Sequence, residues 1–121
     1  MNEFLSQWLN QRARLPGVLA CGVRFPDKTS LTQSWSPDFT TRSLDNAWRC
    51  ASDAFQVLRV NFFPDERVRW VYEKALLLCA RREDGICLGI FTAQEGGGVD
   101  PAEIERLLVE FCAMRAGAAG S

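Results

Sequence analysis

The sequence predicts an α+β domain whose elements run helix–strand–strand–helix–strand–strand–strand–helix. Three observations carry this. Apolar residues recur at steps of three and four in three separate stretches, the period of an amphipathic helix. Between those stretches, short runs either alternate in polarity or are apolar throughout, as strands do. Segments bearing proline, glycine and aspartate separate the runs and supply turn chemistry.

The first helix carries Phe4, Leu5, Trp8 and Leu9 on one stripe and closes at "LPG", Leu15–Gly17, because proline disfavours helical backbone before it. "VLACGVRF" follows as strand one, with Leu19, Cys21, Val23 and Phe25 on one pleat and Val18, Ala20 and Gly22 on the other. Both pleats are apolar or small until Arg24, the pattern of a central strand covered on both sides. "PDKTS" (Pro26–Ser30) makes the turn, and "SLTQSW" returns as strand two, ended by Pro37 and Asp38.

From Thr41 to about Asn61, the residues Leu44, Ala47, Trp48, Ala51, Phe55 and Leu58 form one face of the longest helix. Its other side carries Asp45, Arg49, Ser52, Asp53 and Gln56, and Pro64–Asp65 break it. Three antiparallel strands follow. Arg67–Tyr72 alternates Val68, Trp70 and Tyr72 against Arg67 and Arg69, while Leu76–Arg81 and Ile86–Phe91 are continuous apolar runs. Asp84-Gly85 between them is a hairpin signal. The last helix runs from Pro101 to about Arg115 and buries Ile104, Leu107, Leu108, Phe111 and Cys112. Residues 1–115 thus form a single domain, and "AGAAGS" at 116–121, lacking an apolar anchor, is expected to be a disordered tail.

A net charge of −1 argues against a general nucleic-acid binder, and Arg67/Arg69 and Arg81/Arg82 read as solvated strand faces. The longest apolar run, Ala75–Ala80, is far too short to cross a bilayer, and the amino-terminal residues do not read as a signal peptide. The expected location is cytoplasmic. Five scattered cysteines (Cys21, Cys50, Cys79, Cys87 and Cys112) read as small buried hydrophobes. The chain has no histidine, which excludes Cys–His and Ser–His–Asp catalysis and removes the commonest metal ligand. Cys79 and Cys87 sit in apolar strands, where burial makes a thiol inert. No enzyme activity, metal or cofactor is expected.

The three glycines Gly96–Gly98 precede a helix start, a place where phosphates are often held. A phosphate loop would need a lysine and a hydroxyl after the glycines, and this one continues into Val99, Asp100 and Pro101. Asp100 fits as N-cap, Pro101 as first helical residue and Glu103 as a near capping box. These carboxylates occupy the position a phosphate would need, so the glycines read as a strand-to-helix crossover.

This order of elements resembles the roadblock/dynein light chain family, part of the wider longin and profilin-like architecture. The resemblance covers Asn2 to about Arg115, and its most telling piece is "LPGVLACGV", a step from helix one into strand one. The capped last helix after a buried fifth strand also fits. Family members usually place an aspartate–glycine turn between strands one and two, where this chain has "FPDKTS". The resemblance implies a five-stranded antiparallel sheet of order 2-1-5-4-3, with helix two on one face and helices one and three on the other. Arg67–Tyr72 is then an edge strand. Dimers of the family commonly pair this strand with its twin and pack helix two beside its partner's.

The interface residues so implied are Trp48, Phe55, Arg67, Val68, Arg69 and Trp70. For Trp48, Phe55, Val68 and Trp70 the alternative is the protomer's own core, and for Arg67 and Arg69 it is a gatekeeper role that blocks edge pairing. The implied function is a non-catalytic dimeric scaffold that binds or regulates a small Ras-like GTPase or anchors a larger complex. A sensor domain of the PAS or GAF kind shares the strand order but needs a ligand cavity, a space that Trp35, Trp48, Trp70 and Phe91 are expected to fill. A secretion-type chaperone would place three strands between helices one and two, where this sequence has two.

Overall fold

A computed structural model describes residues 2–60, 67–72, 75–82, 84–94 and 98–114. The elements are α1 (Asn2–Arg12), β1 (Val18–Arg24), β2 (Ser30–Ser34), α2 (Thr41–Val60), β3 (Arg67–Val71), β4 (Ala75–Arg81), β5 (Cys87–Ala93) and α3 (Pro101–Ala113). The strands form one antiparallel sheet in the order β2-β1-β5-β4-β3. Element order and strand order are those expected.

Two apolar layers hold the sheet. On one face, Leu5 and Leu9 of α1 and Ile104, Leu107 and Phe111 of α3 pack on Cys21, Val23, Leu88 and Ile90. Glu110 ties the two helices together, its carboxylate accepting from Trp8 Nε1 at 2.9 Å and Arg12 Nε at 2.9 Å. On the other face, α2 lays Leu44, Trp48, Ala51 and Phe55 onto Ala20, Leu77, Cys79 and Phe91. These four positions share one side of the helix, so a single stripe buries them all. Thr40 precedes α2, and its Oγ1 accepts from Ser43 N–H at 3.2 Å and so caps an otherwise unpaired donor.

The pleat expected for β1 is shifted at its start. A β-bulge between Val18 and Ala20 turns Val18 to the α1/α3 face alongside Cys21 and Val23, and Leu19 to the α2 side. An extra residue in one strand inverts the alternation on one side of it. β4 also departs from full coverage, since Leu76 and Leu78 are only half-buried.

The arginine pairs divide. Arg82 is only 2% exposed, pairs with Asp84 at the β4–β5 hairpin, and lies over the ring of Phe111 at 5.1 Å. It is therefore no solvated strand residue. The hairpin itself is as expected, with Gly85 at φ +88°. Cys50 is exposed on α2, contrary to its reading as a buried hydrophobe, because its helical position falls beside the inner stripe.

Asp100 caps α3 as expected, Oδ1 accepting from Ala102 N–H at 3.0 Å, with Pro101 next. The capping box does not close, because the Glu103 carboxylate pairs with Arg106 one turn on. Gly98 has φ +84°, whereas Gly96, Gly97 and the tail at 116–121 lie outside the described residues.

Candidate interaction surface

β3 lies at the sheet edge. Its residues Arg67–Val71 pair with Ala80–Leu76 of β4, and no described strand pairs with its outer side. The row of N–H and C=O groups on such an edge is a template for another strand. Val68 and Trp70 point to the α2 face and are half-buried against its apolar layer. Tyr72, just past the strand, is 48% exposed, and its ring centre lies 6.1 Å from that of Phe91.

A cleft of about 380 Å³ runs between this edge and α2. One wall is the flank of α2 formed by Ala47, Cys50 and Ala54; the other carries Trp70 and Tyr72. The three helix residues sit at i, i+3 and i+7, one side of the helix, and all are small. Small side chains there cannot reach the indole of Trp70, so the space stays open. A cleft of this size, with an aromatic wall and a low helix flank, has room for a few apolar side chains beside the open strand edge.

The six residues marked from the sequence do not form one cluster. Trp48 and Phe55 are each 2% exposed and belong to the protomer's own core. Val68 and Trp70 face the cleft side. Arg67 and Arg69 alternate to the α3 face, where Arg67 pairs with Glu105. That hydrogen bond holds the Arg67 guanidinium above its ordinary pKa, against the opposing effect of partial burial. Arg69 makes no ion pair with any described residue. Ala47, Cys50, Ala54 and Tyr72 also line this cleft; Ala47 belongs to the apolar face legible in the sequence, Cys50 and Ala54 lie one step from it, and Tyr72 continues the alternation from Trp70.

The buried thiols do not offer chemistry. Burial pushes Cys21 up to about 12 and raises Cys79 and Cys87 as well. A thiol so shifted is not a nucleophile near neutral pH. No three His, Cys, Asp or Glu side chains gather among the described residues in a way that could hold a metal ion. No described helix is long and apolar enough to cross a membrane.

No protein-family model and no curated protein matches the chain. Solved structures do. The chain is similar to the roadblock/LC7 domain from Streptomyces avermitilis, with 18% identity and a TM-score of 0.63, over 87% of this chain and 89% of that one. It is also similar to MglC from Myxococcus xanthus, with 18% identity and a TM-score of 0.46, over 98% and 96% of the two chains. Together with the strand order and the placement of the helices, the first similarity defines the fold as roadblock/LC7-like.

Proposed function

We propose that this chain is a non-catalytic cytoplasmic scaffold that works as a homodimer and binds or regulates a small Ras-like GTPase or a larger complex. The observation that carries the reading is the open edge of β3 beside the α2 cleft. In the dimer β3 pairs antiparallel with its twin and the small-residue flank of α2 receives the partner.

Register follows from charge. Pairing centred on Arg69 would set two unpaired guanidinium groups opposite each other, which is unfavourable. Pairing centred on Trp70 sets indole against indole and places Arg69 opposite Val71 of the twin. Aromatic pairs of this kind are among the more stabilising cross-strand neighbours. Arg67, engaged by Glu105, is then no barrier to pairing.

The GTPase assignment rests on the family resemblance, and the lack of histidine together with the inert buried thiols supports a role without catalysis. Pull-down from native lysate with and without a GTP analogue tests it. Nucleotide-dependent capture of a small GTPase is the expected result, and capture of none would remove that partner class while leaving the scaffold reading standing.

A further inference from the structure

The sheet face opposite α2 carries a second opening. Helices α1 and α3 seal Cys21, Leu88 and Ile90, but Leu76 and Leu78 stay half-buried and Val71 is 68% exposed. The result is a groove of about 740 Å³ between β3–β5 and α3. That volume lies in the range of small-molecule sites, roughly 300–1,000 Å³. Leu76, Leu78 and Thr92 form its floor, Ile104 and Leu108 its helical wall, and Arg69 stands at the strand edge.

Two polar groups lining this groove, where Glu105 is held by Arg67, lack a partner among the described residues. Thr92 is 0% exposed, and its Oγ1 is buried with no hydrogen bond to a described residue. A buried hydroxyl left unpaired is destabilising, and valine would fill the same strand position without that cost. Packing does not explain the threonine. Thr92 lines the groove, and a turn about its Cα–Cβ bond moves the hydroxyl to another staggered position. Arg69 makes no ion pair with a described residue, whereas its neighbour Arg67 is held by Glu105.

The spacing between the two groups is set by the sheet. Leu76 pairs with Thr92 on one side and Val71 on the other, and Leu78 pairs with Arg69. Thr92 and Arg69 therefore stand two strands apart and two residues out of line, about 12 Å from each other, with Leu76 and Leu78 between them. We propose that the groove binds an amphipathic carboxylate: an apolar body about 12 Å long, its carboxylate at Arg69 and a hydroxyl or carbonyl at its far end bonded to Thr92. A peptide strand fits less well, because β4 and β5 beneath the groove already pair on both edges. The groove is complete within one chain and does not depend on the dimer.

Titration calorimetry of the full chain with 10-hydroxydecanoate and with decanoate tests this. Both should saturate at one per chain, the hydroxy acid about fivefold tighter, as one neutral hydrogen bond provides. Arg69→Gln should weaken both about tenfold. Thr92→Val should erase the difference between the two acids and raise the melting temperature of the free protein, and Leu78→Trp should abolish binding by filling the groove. Absence of saturable binding, undiminished affinity in Arg69→Gln, or binding that survives in Leu78→Trp overturns the proposal. Because Arg69 is exposed, its replacement leaves the fold intact and the test stands even if a floor variant does not fold.

Discussion

The indole of Trp48 lies directly on the backbone of Gly89: a Cβ built at Gly89 would stand 2.2 Å from Cζ3 of the ring. Gly22 on the adjacent strand meets the same indole, with a Cβ there 2.4 Å from Nε1. That nitrogen donates to Thr32 Oγ1 on β2 at 3.2 Å. One side chain of α2 thus spans β5, β1 and β2, and the paired glycines make room for it. Gly89→Ala should therefore destabilise the fold by about 2 kcal/mol through overpacking. Denaturant unfolding checks this, and Trp48→Leu in the same chain should recover part of the loss by emptying the contested space.

Asp84 supports a buried cation. Burial acts to raise its pKa, but hydrogen bonds from Arg82 and from the Ile86 N–H outweigh that and hold the carboxyl below its ordinary value. A carboxyl lowered on folding stabilises above its unfolded pKa and loses that contribution as pH falls through the folded one. Asp84→Asn should cost about 1–2 kcal/mol at pH 7, because Arg82 is buried but Asp84 is open to solvent, which screens the pair. The gap between variant and native chain should hold from pH 7 to about pH 5 and shrink below about pH 4, as followed by unfolding at each pH.

Lys28 holds φ +74° in the β1–β2 turn, the conformation that glycine adopts freely. Asp27 steadies the turn by accepting from Thr29 N–H at 3.0 Å. The turn thus has the shape an aspartate–glycine pair would give, with lysine in the glycine position. Lys28→Gly should raise stability by about 1 kcal/mol by removing left-handed strain, measured as an upward shift in melting temperature.

Thiol labelling should sort the cysteines. Cys50 is exposed on α2, while Cys21 and Cys79 are buried with raised pKa values. A thiol-reactive dye at neutral pH should modify Cys50 within minutes and leave Cys21 and Cys79 unreacted until the protein unfolds. Fast reaction at Cys79 would show that the α2 layer opens readily.

Much of this architecture is legible in the residues. The steps of three and four in Thr41–Val60 mark α2 and its buried stripe, and the alternation of Arg67–Val71 marks a half-covered edge. What hides is whatever depends on register or on the neighbour's size. The bulge at Val18–Ala20 leaves no mark in composition, yet it exchanges the faces of Val18 and Leu19. Arg81 and Arg82 look alike in sequence, and only the alternation of β4 into the hairpin buries the second. Leu76 and Leu78 read as core because a strand cannot report how far the helix above it reaches. The same limit concealed the α2 cleft, which exists because Ala47, Cys50 and Ala54 are too small to close it.

Light scattering on the purified chain, at tens of micromolar and beside a Trp70→Glu variant, probes the β3 edge most directly. The native chain should have twice the 13.6 kDa chain mass, and Trp70→Glu should have the monomer mass while keeping the native circular dichroism spectrum. A native chain that is monomeric at this concentration, or a Trp70→Glu variant that stays dimeric, would contradict pairing through β3.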